Sequence, residues 1–387
     1  MKSVFLALCG TLSVFGQDLT ITNARIIGAN GAVIERGSIV VRAGKIASVA
    51  AGAPAAAAGQ TIDAKGMTAM PGFIDGHRHI NTGPNEKAQM QALLEAGYTT
   101  VLSGGGPAEG NITLRDHIEQ GVINGPRIIP SGSIRLSPTL TTDAARAEIR
   151  KMAALGIKFT GEILLTPIPG PSEKEIELIK AIVDEGKKAG VMVQVHAVST
   201  SAMVAAAEAG VPLLVHLPNK DWTSKEAAAK VAAAGTKVLG TVGFGTPVFG
   251  VFATDNAARF RDGKAWPSGI VDGVRLGEEA GYMPVNARTT WDAGVILGYC
   301  TDTTYEPLAG LDHELKALNT MFSMPDLVKM MGPNTASYIQ MGDQLGTLEA
   351  GKLADVILLD GNPLEGYWNW LKTKVVVKGG RVVVDKR

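Results

Sequence analysis

The sequence predicts an α/β protein in which a (β/α)8 TIM barrel carries a small β-sandwich domain formed by both termini. Three observations predict it. Eight short apolar runs between residues 69 and 299 alternate with helical stretches, the pattern of parallel strands joined by crossover helices. The expected barrel over 71–344, about 270 residues, matches the usual size of such a fold. Finally, each chain end carries β-type runs too few to form a stable sheet alone, so the two ends are expected to pair. The expected boundaries are a signal peptide over 1–16, a composite sandwich over 17–70 and 345–387, and the barrel over 71–344.

In chain order, Met1-Lys2 precedes an uncharged apolar run from Ser3 to Phe15. A short positive region, a brief apolar core and Val14-Phe15-Gly16 before Gln17 are features of an export signal. The run is too short to span a bilayer comfortably, so a periplasmic or secreted protein is the expectation. After cleavage Cys300 would be the one cysteine left, which excludes an intrachain disulfide. Leu19-Thr20-Ile21-Thr22, Ser38-Ile39-Val40-Val41 and Lys45-Ile46-Ala47-Ser48-Val49 read as strands, with turns at 28–31 and Ala43-Gly44. The C-terminal counterparts are Ala354–Leu359 and the Val-rich stretch from Lys374 to Val384.

The eight interior runs are Ala69–Asp75, Thr99–Leu102, Arg127–Pro130, Ile157–Ile163, Val191–Val195, Pro212–Val215, Lys237–Val242 and Val295–Tyr299. Ser172 with Glu175 three residues on is a capping box that opens a helix to about Ala189. Ala144–Leu155 and Ser224–Ala234 are also helical in character. A doubly wound open sheet is the alternative, but no Gly-x-Gly-x-x-Gly follows a strand, and Gly104-Gly105-Gly106 reads as a tight βα turn. Phe244 to Asn286 has few periodic signals and is expected to cover the site.

Lys and Arg balance Asp and Glu at 37 each, which argues against nucleic acid or a membrane surface as the main partner. A small-molecule substrate is the expected partner, and a homo-oligomer is left open.

The candidate chemistry begins at Pro71-Gly72-Phe73-Ile74-Asp75-Gly76-His77-Arg78-His79. On a strand His77 and His79 share a face and Arg78 points away; a helix would splay the pair by about 200°. In a (β/α)8 barrel the chemistry sits at the C-terminal ends of the strands. There the fourth run delivers Glu162, the fifth His196, the sixth His216 and the eighth Asp302. Packing would explain any one of these histidines, but not four of the chain's six gathered at one mouth. Imidazole with carboxylate suits Zn²⁺, Mn²⁺, Fe²⁺ or Co²⁺. Such a centre activates water and polarises a carbonyl, and a nearby carboxylate can carry the proton to a leaving amine.

Residues 71–79 resemble the opening strand of the amidohydrolase superfamily, and Gly346–Leu364 resembles its return from barrel to sandwich. Gly125-Pro126-Arg127-Ile128 and Pro333-Asn334-Thr335-Ala336 are similar too. The resemblance runs from about residue 19 to the end and is nearest to the imidazolonepropionase-like and Xaa-Pro dipeptidase (prolidase-like) branch. It implies His77 and His79 on a more buried metal, His196 and His216 on a second, and Asp302 as ligand and proton shuttle; the expected cofactor is then zinc, as one or two ions, with two favoured. Many binuclear members bridge the metals with a carboxylated lysine on the fourth strand. Here Lys158 shares parity with Glu162 but lies about 13 Å nearer the barrel floor. Glu162 is therefore the expected bridge and carboxylated Lys158 the alternative.

The implied activity is metal-dependent hydrolysis of an amide-type C–N bond in a dipeptide, N-acyl amino acid or cyclic amide. Without a bridge, the site would resemble that of a mononuclear deaminase of an aminated ring, with His216 polarising substrate. A catalytically silent binding protein would lack a ligand or the shuttle acid, and none is missing. Lys220 in the sixth βα loop, Arg288 after the seventh strand and His313 at the opening of the last barrel helix are further candidates for substrate contact. His117 is expected on a helix face, and Cys300 one packing layer below Asp302.

Overall fold

The structure is a computed structural model that describes residues 17–29, 31–243, 275–303 and 306–387. The expected signal at 1–16 and the 244–274 part of the expected cover lie outside those residues. No described helix is long and apolar enough to cross a membrane.

Five strands come first: β1 (Leu19–Ile27), β2 (Val33–Arg42), β3 (Lys45–Ala51), β4 (Gln60–Asp63) and β5 (Thr68–Pro71). A parallel series follows: β6 (Phe73–Arg78), β7 (Tyr98–Ser103), β8 (Arg127–Ile129), β9 (Ser131–Gly132), β10 (Phe159–Leu164), β11 (Met192–His196), β12 (Leu213–Val215), β13 (Lys237–Gly240) and β14 (Leu297–Tyr299). The chain ends in β15 (Val356–Leu359), β16 (Thr373–Lys378) and β17 (Arg381–Asp385). Helices alternate with the parallel strands: α1 (Glu86–Ala96), α2 (Ala108–Glu119), α3 (Thr142–Ala154), α4 (Glu173–Ala189), α5 (Thr200–Glu208), α6 (Lys225–Ala233), α7 (Arg275–Asp292) and α8 (Pro307–Leu318). The capping box of α4 forms as its sequence dictates: the Ser172 hydroxyl accepts from the Glu175 amide, and the Glu175 carboxylate accepts from that of Ser172.

Both chain ends share one eight-stranded mixed sheet, ordered β17-β16-β15-β5-β1-β2-β3 with β4 on β1. Strand β5 joins the two ends, pairing parallel with β1 and antiparallel with β15. Alternation supplies its core: Ile21, Ile39, Val356 and Val375 are fully buried in one cluster.

The remaining strands form two parallel sheets, β14-β13-β12-β11-β10-β9 and β6-β7-β8. Pro130 alone separates β8 from β9, and having no N–H to give the ladder it divides what is otherwise one run. At the other seam the Asp302 amide donates to the His77 carbonyl at 2.9 Å. Ile74, Leu102, Phe159, Leu213, Leu239 and Cys300, on or beside six of these strands, pack with Tyr338 in a single buried cluster. His77, Glu162, His216 and Asp302 each lie two or three residues downstream of a member of that cluster. The apolar cluster is thus the floor on which the polar site stands.

Candidate metal centre

The strand β6 is buried at every residue. His77 is fully buried, while His79, just past the strand end, leaves 41% of its side chain exposed. Arg78, on the opposite face, donates to Thr301 Oγ1 at 3.1 Å and pairs with Asp75. Asp75 Oδ1 in turn accepts from the amides of His77 and Thr301, at 3.2 and 3.1 Å. This buried network stitches the strand of His77 to the segment carrying Asp302. His216 and Asp302 lie just beyond β12 and β14 with φ of 70° and 50°. These left-handed backbones are uncommon for residues with a Cβ and cost about 1–3 kcal/mol each, a strain that recurs at functional sites.

The six polar side chains converge. Glu162 Oε2 lies 2.8 Å from His196 Nδ1, 3.0 Å from His216 Nε2 and 3.8 Å from His77 Nε2. Its Oε1 lies 3.5 Å from His79 Nε2. Asp302 Oδ1 is 3.3 Å from His77 Nε2 and 3.0 Å from His79 Nε2. Ligand atoms of His77, Glu162, His216 and Asp302 fall within 4.8 Å of one another. His216 Nδ1 shares a 2.7 Å hydrogen bond with Thr241 Oγ1, which fixes the ring with Nε2 towards the carboxylates.

The donor set fits a divalent metal. Both ring nitrogens of His77 and Oδ1 of Asp302 are buried, yet none makes a hydrogen bond. Close approach without hydrogen-bond alignment is what ligands aimed at a common point would show. Burial would raise the Glu162 carboxyl, but bonds from His196, His216 and His79 outweigh it and hold Glu162 well below the usual carboxylate range. Asp302 is likewise held low, by His77 and His79 against its burial. His79 is pushed up to about 10 by Asp302 first and Glu162 second. The two carboxylates therefore demand positive charge, which protons meet or a metal ion replaces.

The sequence-based candidates outside this cluster fare differently. Lys158 is exposed one residue before β10 begins, so it is not a bridging candidate. The β10–β11 register shifts between Phe159 and Glu162, where Thr160 Oγ1 takes the Gln194 amide, and the parity argument linking Lys158 to Glu162 fails there. Arg288 is also a correction: it pairs with Asp292 at 2.8 Å and lies over the Phe322 ring, committed to helix packing rather than the site. His313 does not open its helix, since α8 begins at Pro307, and its Nε2 bonds to the Gly243 carbonyl. Burial pushes His313 down to about 4. Lys220 is exposed on the loop that follows His216. His117 bonds to Glu86 at 2.6 Å from its place on α2, and Cys300 is fully buried.

Sequence reasoning missed the supports: Asp75, Arg78, Thr241 and Thr301, and also Gly104. The signal for Asp75 was its place two residues before His77 on one strand; for Gly104, whose missing side chain leaves room for the His77 ring, the sequence holds none. A cavity of about 790 Å³ opens from His79 and Glu162 over Gly104–Gly106 towards α3.

Residues 68–383 match the amidohydrolase family. The chain is 22% identical to the imidazolonepropionase of Caldanaerobacter subterraneus subsp. tengcongensis, over 84% of this chain and 85% of that protein. Among solved structures it resembles a putative prolidase from Bifidobacterium longum, with a TM-score of 0.79 and 26% identity over 96% of this chain and 97% of the other. A prolidase solved with N-methylphosphonate-L-proline shares the fold, with a TM-score of 0.78 and 22% identity over 95% of this chain and all of that one. With the family match spanning most of its length and six candidate ligands gathered at the ends of its parallel strands, the chain belongs to the amidohydrolase family, as a hydrolase of carbon–nitrogen bonds.

Proposed function

We propose that this protein is a zinc-dependent hydrolase that cleaves an amide-type C–N bond in a dipeptide, N-acyl amino acid or cyclic amide. We read its parallel strands as a (β/α)8 barrel closed at the Asp302–His77 seam. The observation that carries the reading is the convergence of two carboxylates and four imidazoles, with buried His77 and Asp302 atoms left without hydrogen bonds. His77 and His79 would hold one ion, His196 and His216 a second, with Glu162 between them and Asp302 alongside. Bound divalent ions would lower the pKa of water towards about 7 and polarise the scissile carbonyl.

The residues of the chain account for the rest. Asp302 accepts the proton of the attacking water as its oxygen bonds to the carbonyl carbon. When the C–N bond breaks, Asp302 returns that proton to the leaving nitrogen, yielding acid and amine. Arg78, Asp75 and Thr301 keep the Asp302 segment against β6 while its charge changes.

A panel of dipeptides, N-acyl amino acids and cyclic amides, with metal analysis on the same sample, tests this. Two equivalents of metal per chain are expected, and Asp302→Asn should lower kcat by about 10²–10⁴-fold. Protein free of divalent metal, with hydrolysis untouched by His77→Ala, would reject the active site. Both equivalents persisting in Glu162→Gln would reject the bridge. One observation favours a second reading: the four atoms within 4.8 Å could serve a single ion. One equivalent of metal, with ammonia released from an aminated ring, would establish that deaminase instead.

A further inference from the structure

The cavity beside the metal centre has a character of its own. His79 and Glu162 form its inner end, and its volume of about 790 Å³ suits a small organic molecule. Gly105 and Gly106 form the floor with φ of 147° and 105°, and their missing side chains keep it open. Ser133 Oγ pins that floor, accepting from the Gly106 amide at 3.0 Å. The wall beside the ligands is apolar. Leu164, two residues beyond Glu162 on β10, is 60% exposed, and Ile134 and Leu136 line the cavity with it. Among the described residues nothing covers the greater part of this leucine, and a bound apolar group would.

One charged group stands out on the same edge as the ligands. Arg135, exposed three residues past the end of β9, lines the cavity, and among the described residues its guanidinium has no ion-pair or hydrogen-bond partner. Lys151, the other cation in the lining, sits one turn from Glu148 on α3 with no ion pair between them, and Glu109 lies in the first turn of α2, where the helix end favours an anion. Of these two cations Arg135 is the one that presents a planar guanidinium. A planar guanidinium of this kind matches a carboxylate in two parallel hydrogen bonds.

We propose that this cavity binds a substrate arm that is apolar next to the scissile bond and ends in a carboxylate, with Arg135 as the residue that reads the carboxylate. The inference builds on the hydrolytic reading above and assigns its substrate class.

The test uses the metal-loaded full chain and two readouts. Calorimetry with 4-methylpentanoate and with 4-methylpentanol, neither of which can be hydrolysed, reads recognition alone. The wild type should prefer the acid, and Arg135→Gln should weaken the acid about 10- to 100-fold without moving the alcohol. Arg135→Lys, which keeps the charge but loses the fork, should fall between. Kinetics with N-acetyl-L-leucine and N-acetyl-L-leucinamide should show KM raised by Arg135→Gln for the acid only, with kcat little changed. Equal binding of the acid by wild type and Arg135→Gln would overturn the assignment, since the carboxylate would then be held elsewhere. So would an equal loss on acid and carboxamide. Arg135-dependent binding without hydrolysis of any substrate would leave the recognition site standing and reject the hydrolytic reading instead.

Discussion

A methyl group added at Gly104 would stand 2.7 Å from Nε2 and 2.8 Å from Cε1 of His77. His77 is fully buried and cannot give way into solvent. The backbone at Gly104 is not in the left-handed region, so alanine would be sterically tolerated there but for that ring. Gly104→Ala should therefore act on the imidazole rather than on the fold, displacing a ligand at an overpacking cost of about 1–3 kcal/mol. The expected outcome is loss of at least one metal equivalent and of most hydrolysis, with a cooperative melt retained. Metal analysis and thermal unfolding check it, and full metal content in Gly104→Ala would show that the ring has room to move. The ligands themselves were legible as residue types at strand ends, but this steric role was not. Gly104-Gly105-Gly106 reads in sequence as a turn, and nothing in its composition reveals which side chain the turn must clear.

At the scale of elements, the terminal signatures meet in space. Arg127 donates to Asp355 Oδ2 at 2.8 Å, the Gly72 amide donates to the Asp355 carbonyl, and Asp355 Oδ1 accepts from Gly379. Strand positions followed from apolar alternation because each strand is buried on a defined face. The register of β10 did not, because a side chain of its own replaces a backbone acceptor and shifts the count. That is why Lys158 seemed to share a face with Glu162. Arg288 misled for a related reason: a helix of unknown orientation does not disclose which neighbour its side chains meet. The same junction of elements carries a pH-sensitive group. Lys378, at the end of β16, donates to the Gly125 carbonyl and is pushed down to about 8, by burial first and Arg127 second. Between about 8 and 10.5 the unfolded chain holds a proton that the folded one has released, so stability rises with pH through this window. The effect is up to about 3 kcal/mol and is lost as pH falls to 8. Measured as the difference in Tm between wild type and Lys378→Met, the gain should appear between pH 8 and 10.5. A difference that stays flat across that window would contradict the burial of the ammonium.

For the whole molecule, the metal centre is a long-range crosslink. Its candidate ligands come from β6, β10 and β11 and from the residues just past β6, β12 and β14, so one cluster unites positions from His77 to Asp302. Without a metal ion, the carboxylates of Glu162 and Asp302 are offset by the imidazoles around them, above all His79, pushed up to about 10. A divalent ion that takes the place of the imidazole protons would tie the same side chains to one point. A ligand that binds only the folded state stabilises it by about 4 kcal/mol at a thousandfold excess over its Kd. Chelation should therefore lower Tm by several degrees, and added zinc should restore it. The shift should shrink in His77→Ala and His216→Ala, because those chains have less affinity to lose, whereas His117→Ala, distant from the cluster on α2, should behave as wild type. Scanning calorimetry with and without chelator decides it: an unchanged Tm in the wild type would mean that the six groups do not hold metal tightly enough to shape the fold.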